Sequence, residues 1–417
     1  MTRPPQALEH IRVCDFTGQL AGAGATRWLA SFGAEVIRIE DPTNQGRWDI
    51  LRGSPPFKDE RRGIEFGSGF NNHNVNKLGV TIDARTPAGR ELVADLVSIS
   101  DVVAENFAAG VLERMGFGYE RLRQLQPGIV YVSNCGFGHT GPYRDFKSWG
   151  PIAQAVSGIT HQSGLAGEAP AGWGYSYLDH TGGYYMAMAI LMALLHRDRT
   201  GEGQWVDMSC TETGAYLHGA DALDHTVNGA SLRGDDRPAS NRSASPTMAP
   251  HGVYRCAGDD NWVAIACRDD HDWHRLSRLV VDDDPVAGDL LAERFDTLAG
   301  RVDHQDDLDA LLAQWCAERN RWDVEDDLQA AGIPAAAVRR PGERIDGDIA
   351  TRDLWPMVDH PAMGGVRVDG QPVRFSVTDW SITDGGPTLG QDNHYVFGEL
   401  LGRSAEEIER LEDEGVI

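Results

Sequence analysis

The 417-residue sequence lacks the features of several specialised protein classes. Its six cysteines are scattered without close pairs, which excludes a disulfide framework or zinc spacing and predicts reduced, mostly buried thiols. The dense apolar run Tyr184–Leu195 is too short for a membrane span and predicts a buried core helix. The first residues, Met1–Pro5, lead into polar residues and a first strand rather than a signal peptide, so we expect a cytoplasmic protein.

Positive charge is also in short supply. The chain has 38 Lys and Arg against 63 Asp and Glu, a formal net charge of −25, which argues against nucleic acid and anionic membranes as partners. With 41% hydrophobic and 24% charged residues, the composition is that of a globular protein with one large core or two. Acidic runs such as Asp282–Asp284 lack the spacing of a calcium loop, so no metal site is predicted.

Several catalytic motifs are missing. The sequence has no G-x-x-x-x-G-K-[ST], no H-E-x-x-H and no G-x-S-x-G. The glycine-rich segment Gly18–Gly24 follows a strand but does not match G-x-G-x-x-G, although Glu40 lies at roughly the distance of a ribose-binding acid. NAD binding is therefore weakly indicated, and a tight turn with no ligand is the alternative.

Strand and helix patterns alternate through the first third of the chain. This alternation predicts an α/β fold with a mainly parallel sheet covered on both faces, which binds ligands at the carboxyl ends of its strands. A loop punctuated by Gly18, Gly22 and Gly24 follows the first strand. The predicted strands are Ile11–Phe16, Val36–Ile39, Gly79–Ile82, Asp101–Ala104 and Ile129–Ser133, and the predicted helices are Ala25–Phe32, Ala88–Ser98 and Tyr119–Leu125.

A second region of different character follows. The segment Asp224–Pro250 is rich in Ser, Arg, Asn, Asp and Pro and has the composition of a linker or long loop. Beyond it, His251–Arg255 and Trp262–Ala266 predict a β-hairpin. Helical patterns then lie near Asp270–Leu279, Asp306–Cys316, Trp322–Ala330 and Ala405–Asp413.

Asp179 is the strongest candidate for a chemical role. It lies directly before the run Tyr184–Leu195, at a predicted helix start, where backbone N–H groups and the helix dipole stabilise negative charge. This position suits a helix-capping aspartate, the commoner case, or a nucleophile beside a developing thiolate. His180, adjacent to it, is a candidate for contacting substrate or orienting the loop, whereas His139 and His251 fit a structural role as well.

The whole chain resembles the class III CoA-transferases, which include formyl-CoA transferase, carnitine CoA-transferase and the α-methylacyl-CoA racemases. The resemblance rests on many motifs in one order over nearly the full length. These motifs are Leu8–Thr17, Gly33–Glu40, Asn76–Lys77, Asp83–Gly89, Glu105–Phe107, Leu112–Gly116, Gly136–Tyr143, Arg199–Gln204, Ala331–Pro334 and Thr388–Asp392.

The resemblance implies a Rossmann-like large domain, a smaller α+β domain and an interlocked homodimer. It places the large domain at residues 1–224 and 345–417, and the linker and small domain at 225–344. It implies that Asp179 is the nucleophile and that coenzyme A, as an acyl-CoA, is a substrate together with a carboxylic acid. The residues it matches to CoA contacts are Gly18, Gln19, Leu20, Ala21, Arg38, Ile82, Arg85, Asn106, Phe107, Arg114 and Lys147.

In the implied mechanism, the Asp179 carboxylate attacks the thioester, giving an aspartyl anhydride and then an aspartyl-CoA thioester. Departures from the family bear on the substrate. Trp149 stands where racemases have a histidine, which disfavours the alternative of an acyl-CoA racemase or isomerase. Gly150 replaces the glutamate of oxalate-specific transferases, and 241–246 replaces their glycine-rich loop, so oxalate is disfavoured.

The aromatic residues near Asp179 suggest a larger acid. Trp149, Trp173, Tyr175 and Tyr177 favour a partly apolar or aromatic substrate, with simple core packing as the alternative. A further hypothesis makes the chain the non-catalytic subunit of a heteromeric transferase. Such a subunit would be free to lose its nucleophile, whereas Asp179 is present.

Overall fold

The computed structural model describes residues 5–164, 168–172, 176–229, 241–244, 246–347 and 353–417. The chain separates into two compact units. The large unit comprises Met1–Thr160, Gly172–Gly219 and Ile349–Ile417, and the small unit comprises His161–Ala171 and Ala220–Asp348.

The large unit is built on a six-stranded parallel sheet, which confirms the predicted α/β class. Its strands are β1 (Arg12–Phe16), β2 (Glu35–Glu40), β3 (Leu78–Thr81), β4 (Val102–Glu105), β5 (Val130–Cys135) and β6 (Trp205–Ser209). Their order in the sheet is β3-β2-β1-β4-β5-β6. This is the doubly wound order, whose direction reverses between β1 and β4, and ligands bind in the crevice at that point.

Apolar clusters cover both faces of the sheet. Along β1, Val13 belongs to the cluster on one face and Cys14 to the cluster on the other, and Val102 and Val103 alternate in the same way on β4. Successive side chains of a strand point to opposite faces, so strands buried on both sides contain near-continuous hydrophobic runs. All six cysteines are free, and five of them are buried.

Helices connect the strands of the large unit. The cap of the third one is typical: the Thr86 side chain accepts a hydrogen bond from Gly89 N, and Pro87 occupies the first helical position. The helices are α1 (Ala21–Ser31), α2 (Ser68–His73), α3 (Pro87–Ser98), α4 (Val111–Arg114), α5 (Tyr119–Leu125), α6 (Gly150–Ser157), α7 (Ile159–Gln162), which extends beyond the unit boundary, α8 (Tyr177–Thr200) and α9 (Cys210–Leu217).

The predicted loop after β1 is shorter than expected. Helix α1 begins at Ala21, so Gly22 and Gly24 are helical rather than loop residues. Gly22 is required by packing: a Cβ there would lie 2.5 Å from Thr17 Cβ and 2.7 Å from the Asn106 side chain. The glycine therefore permits a close approach between helix and loop, which sequence punctuation alone did not distinguish from a turn.

Helix α8 is longer and less buried than predicted. Its buried side includes Met186 and Ile190, whereas Tyr184, Met188 and Met192 are exposed, so the prediction of a buried core helix holds for one side of the helix only. Its first turns contact α1 closely, because a Cβ at Gly183 would lie 2.7 Å from the Ala21 carbonyl oxygen. No helix among the described residues is long and apolar enough to cross a membrane.

The small unit contains a three-stranded antiparallel sheet in the order β11-β10-β9. The predicted hairpin forms β9 (His251–Arg255) and β10 (Trp262–Ala266), and β11 is Ala335–Ala337. Before it, β7 (Ser243–Ala244) pairs with β8 (Thr247–Met248). The helices are α10 (Gly219–Asn228), whose first residue belongs to the large unit, α11 (Asp270–Asp283), α12 (Leu298–Asp303), α13 (Gln305–Ala317), α14 (Arg321–Ala330) and α15 (Pro341–Asp346).

The predicted linker Asp224–Pro250 contains regular secondary structure, because α10 extends to Asn228 and β7 and β8 lie within the segment. Residues 230–240 and 245 of that segment lie outside the described residues. The core of the small unit centres on Trp273, Phe295 and Trp315.

The C-terminal segment belongs to the large unit. It forms the hairpin β12 (Met357–His360) and β13 (Gly364–Arg367), a π-helix at His394–Leu400 and α16 (Ala405–Asp413). Asp83 N donates to Val416 O, and Gly79 N donates to the Asp392 carboxylate. These bonds fix the chain end to the segments around β3.

Candidate active site

Two loops meet at the point where the strand order reverses. The loop after β1 and the loop after β4 are joined by Asn106, whose Oδ1 accepts from Gly18 N at 2.8 Å and whose Nδ2 donates to Gly18 O at 3.0 Å. The next residue, Gln19, has a φ of 56°, in the left-handed region that a non-glycine residue rarely adopts. Such backbone strain is concentrated at functional sites, where the surrounding structure enforces it.

A buried polar network holds the loop after β1 in place. Lys77 Nζ lies 3.1 Å from Asp15 Oδ2 and donates to Thr26 Oγ1, while Arg38 donates to Thr17 O. Burial lowers the pKa of Lys77 to about 8, against the influence of Asp15. Burial alone would raise the pKa of Asp15, but Lys77 and Arg38 hold it below its usual range.

A pocket of about 250 Å³ opens beside these loops. Its wall brings together residues from the ends of β1, β4 and β5, from α6, and from α8 and α9. Six residues predicted for the site line it: Gln19, Ala21, Asn106, Phe107, Lys147 and Asp179. The other lining residues are Trp48, Ala108, Ala109, Asn134, Cys135, Gly136, Phe137, Arg144, Phe146, Ser148, Trp149, Gly150, Ala153 and Cys210.

Asp179 lies in the first turn of α8, and the N-cap position is occupied by Ser176. Burial raises the pKa of Asp179, and a hydrogen bond with the Ser176 side chain opposes that shift. Its carboxylate borders Gly150 closely, because a Cβ at Gly150 would lie 2.7 Å from Asp179 Oδ2 and 2.6 Å from Ser176 Oγ. A partly desolvated carboxylate at the wall of a pocket is a more reactive nucleophile than one in water.

The remaining predicted CoA contacts lie in different environments. Gly18 and Leu20 belong to the loop after β1. Arg38 is completely buried, with Nη2 2.8 Å from Asp49 Oδ2, and Ile82 is buried in the core. Arg85 is exposed and pairs with Asp83 at 2.8 Å and with Asp41 at 3.4 Å. None of these side chains lines the pocket.

Arg114 lies close to the pocket wall, next to Arg144, which the sequence motifs did not indicate. A Cβ at Gly110 would lie 2.9 Å from Arg114 Nη1 and 4.0 Å from Arg144 Nη2, so both guanidiniums approach the same point. Glu113 Oε2 would also lie 4.0 Å from that Cβ, and Arg144 and Lys147 line the pocket. We refer to Arg114, Arg144 and Lys147 together as the cationic cluster.

Aromatic side chains line the segment between β5 and α6. The Phe137, Tyr143 and Phe146 rings contact one another, with centroids 4.6 to 6.0 Å apart. Tyr143, Phe146 and Trp149 are each about half exposed. Trp173 and Tyr175, predicted to surround Asp179, lie outside the described residues, and Tyr177 packs against a small buried cluster beside α8.

The predicted histidines do not line the pocket. The His180 ring lies 5.7 Å from the ring of His73, and burial lowers the pKa of both, that of His73 to about 4. His251 belongs to the small unit, where it contacts Asn241 O. His139 is a buried residue of the loop after β5, with Nε2 3.3 Å from Glu105 Oε1.

Glu105 is a buried carboxyl behind the pocket wall. Its oxygens accept hydrogen bonds from Phe107 N at 2.6 Å and from Tyr131 OH at 2.9 Å. Burial raises the pKa of Glu105 to about 7 against the effect of these bonds, and the charge of Asp207 adds to the rise. Burial lowers the pKa of His139, which Asp207 opposes.

Sequence motifs did not indicate Trp48, Asn134, Arg144 or Cys210 as pocket residues. Trp48 reaches the pocket from the chain between β2 and β3, and its ring lies 4.9 Å from that of Phe107. Asn134 directly follows the predicted strand Ile129–Ser133, and ligands gather at such strand ends, so its position at the pocket could have been predicted. Among the described residues, no group of three or more His, Cys, Asp or Glu is placed to hold a metal ion.

Comparison with known proteins identifies the family. Residues 8–393 match CoA-transferase family III. The chain is 32% identical over 416 residues to a succinyl-CoA–D-citramalate CoA-transferase of Chloroflexus aurantiacus, covering 100% of this chain and 99% of the relative. It is 31% identical over 427 residues to a formyl-CoA:oxalate CoA-transferase of Streptomyces avermitilis, covering 99% and 100%.

The fold has a counterpart among solved structures. A CaiB/BaiF family protein from Brucella suis superimposes with a TM-score of 0.83 at 30% identity, covering 95% of this chain and 100% of that one. Matches of this extent establish more than a shared architecture. The chain therefore belongs to CoA-transferase family III, and the protein is an enzyme that transfers CoA.

Proposed function

We propose that the enzyme moves CoA from an acyl-CoA donor to a carboxylic acid through covalent intermediates on Asp179. The observation that carries this proposal is the placement of the Asp179 carboxylate in one pocket with the loops after β1 and β4 and with Lys147. The reaction requires a nucleophile, a crevice that binds the substrate and cations that bind the CoA phosphates.

The reaction proceeds by exchange between activated acyl groups. An Asp179 oxygen attacks the thioester carbon, the C–S bond breaks, and CoA leaves as a thiolate while an anhydride forms. The thiolate then attacks the Asp179 carbonyl carbon, giving an aspartyl-CoA thioester and releasing the donor acid as a carboxylate. The acceptor carboxylate reverses both steps. Activation passes from one acyl group to the next, so neither ATP nor a metal is needed.

We infer that the CoA phosphates bind at the cationic cluster. The protein as a whole carries −25, so a polyanion is favoured only where cations gather locally. The thiol end then extends past Asn106 and Phe107 toward Asp179, within the same pocket. Arg38 has an indirect role in this arrangement. Its buried side chain donates a hydrogen bond to Thr17 O and so fixes the loop that carries Gln19.

The pocket wall bears on the choice of acid. The relatives are named for succinyl-CoA with D-citramalate and for formyl-CoA with oxalate. In this chain, Phe146 and Trp149 give the pocket an exposed aromatic side, and the space at Gly150 is closed by Asp179 and Ser176. We infer an acid with an apolar or aromatic body. Aromatic side chains of the pocket would hold this acid, since the chain has no second protein carboxylate at position 150 beside Asp179.

An exposed apolar face of α8 supports a homodimer. Tyr184, Met188, Leu191, Met192 and Leu195 are each 42% to 63% exposed along one helix. Exposed apolar surface of this extent marks a protein contact more often than a solvated face. The enzyme is proposed to work as a cytoplasmic homodimer with a substrate site in each copy.

The experiment that tests this function is intact-protein mass spectrometry after mixing with succinyl-CoA or acetyl-CoA, followed by peptide mapping. We expect an adduct of CoA on Asp179, with no adduct and no transfer in Asp179→Ala, which should retain its circular dichroism spectrum and its affinity for acyl-CoA. Asp198→Asn is the matched control, because Asp198 is an exposed carboxylate on the same helix. Undiminished turnover in Asp179→Ala would contradict the mechanism. A panel of aromatic, branched and steroid acids then identifies the acceptor.

A further inference from the structure

Asn134 is a buried amide that the mechanism above does not use. It lies at the carboxyl end of β5, where its side chain is 1% exposed and lines the pocket that contains Asp179. Its Nδ2 atom is shielded from solvent and has no hydrogen-bond partner among the described residues. Buried amide groups are nearly always paired, so an unpaired donor in the wall of an active-site pocket requires an explanation.

The orientation of the amide is set by a neighbouring thiol. Cys210 Sγ lies 3.4 Å from Asn134 Oδ1, at the start of α9, and donates its proton there. Burial raises the pKa of Cys210, and the charge of Asp179 adds to the rise, so the thiol remains a neutral donor. With Oδ1 engaged as an acceptor, the two N–H groups of Asn134 are directed to the other side.

That other side is the face of α8 that carries the nucleophile. A Cβ at Gly182 would lie 3.7 Å from Asn134 Nδ2 and 2.9 Å from Cys210 Sγ. Gly182 follows Asp179 by three residues, and residues at that spacing share one face of a helix. The absence of a side chain at Gly182 therefore leaves the Asn134 amide adjacent to the surface from which Asp179 projects.

We propose that Asn134 is a catalytic residue, whose Nδ2 donates a hydrogen bond to the oxyanion that forms on the Asp179 acyl carbon. This inference rests on the proposed function. An amide that is fixed, dry and without a partner stabilises developing negative charge without reorganising, which is the most effective form of electrostatic catalysis. The ground-state carboxylate makes no bond to it, so the interaction is formed only as the reaction proceeds.

The donor acts at a defined step. When the CoA thiolate attacks the Asp179 carbonyl carbon of the anhydride, a C–S bond forms and the carbonyl π-electrons move to its oxygen, where Asn134 donates. The oxyanion then collapses, the bond to the departing acyl oxygen breaks, and the donor acid leaves as a carboxylate. The acceptor acid passes through the same oxyanion in reverse. No proton is gained or lost, since carboxylate replaces thiolate at each exchange.

Substitution by leucine, which has the same number and branching of side-chain heavy atoms but no polar atoms, separates the effects on stability and on rate. Asn134→Leu removes an unpaired buried donor but also the acceptor of the weak Cys210 S–H donor, so the melting temperature should change little. Loss of an oxyanion donor should lower kcat by about 100-fold or more, with the KM for acyl-CoA almost unchanged. Asn228→Leu, on an exposed helix surface, is the matched control that leaves both quantities unchanged.

A second variant tests the donor if leucine disturbs the fold. Asn134→Gly leaves a space the size of acetamide, and we expect acetamide to restore transfer whereas acetone, which has the acceptor but no N–H donor, does not. Rate constants for the CoA adduct on Asp179 should be followed by rapid quench and mass spectrometry. No adduct in the wild type would overturn the proposed function itself. A wild-type adduct with equal rates in Asn134→Leu, or equal rescue by acetone and acetamide, would overturn the role of Asn134 alone.

Discussion

Replacement of the buried Glu105 by glutamine should change how the stability of the protein depends on pH. The carboxyl titrates at about 7 in the folded protein because it is buried, and at its ordinary value of 4.5 when the chain unfolds. Between these values the folded state binds more protons than the unfolded state, so the contribution of Glu105 to stability is fully present below pH 4.5 and is lost as pH rises through 7. Glutamine has no proton to lose and removes this dependence.

The magnitude follows from the size of the shift. One pKa unit corresponds to about 1.4 kcal/mol, so the wild type should lose roughly 2–3 kcal/mol of unfolding free energy from pH 5 to pH 8 relative to Glu105→Gln. The constant cost of altering the bonds to Phe107 and Tyr131 cancels in this comparison.

Urea unfolding at a series of pH values, followed by tryptophan fluorescence, measures the difference. Glu120→Gln is the control, because the Glu120 side chain is 75% exposed and its replacement should leave the wild-type slope unchanged. Parallel curves for the wild type and Glu105→Gln from pH 5 to pH 8 would refute the assignment of a raised pKa to Glu105.

Two further substitutions test the packing around the site. Gly150→Ala places a methyl group 2.7 Å from Asp179 Oδ2, so kcat should fall by about 10- to 100-fold with the fold intact, whereas Gly288→Ala, with no atom within 4 Å, should be neutral in steady-state assays. Lys77→Met strands the buried Asp15 carboxylate and should destabilise the protein by about 3–5 kcal/mol in urea unfolding. Adding Asp15→Asn should restore most of that loss, and an additive double variant would contradict the pairing.

The parts of the fold that could be predicted are those with a regular local signal. The alternating pattern located all five predicted strands of the parallel sheet to within two residues and the hairpin β9–β10 without error. The pattern did not reveal the sixth strand, β6 (Trp205–Ser209), because most of its residues are only half-buried and it lacks a continuous apolar run. It also could not separate Gly22 of α1 from a loop glycine, since that distinction depends on a contact with Asn106, distant in the chain.

The site shows the same division. The resemblance named Asp179, Gln19, Asn106 and Lys147, and the structure gathers all four at one pocket. It named Arg38 as a CoA contact, but the burial of that side chain depends on Asp49, which no motif marks. The strand end indicates the position of Asn134, but its chemical significance could not be predicted, because it depends on the hydrogen-bond partner that its amide lacks in the folded state.

The close contact between α1 and α8 at Gly183 limits how the substrate specificity of the enzyme can be engineered. At Gly183, α8 approaches the backbone of α1 closely. Helix α8, which carries Asp179, therefore cannot shift relative to α1, which follows the Gln19 loop, without disrupting this contact. Directed evolution toward other acids should therefore leave this contact unvaried. Libraries are better placed at Tyr143, Phe146 and Trp149, whose half-exposed rings tolerate exchange because no core packs against their outer faces. The position of Asp179 then stays constant while the three aromatic residues are varied to accommodate new acyl groups.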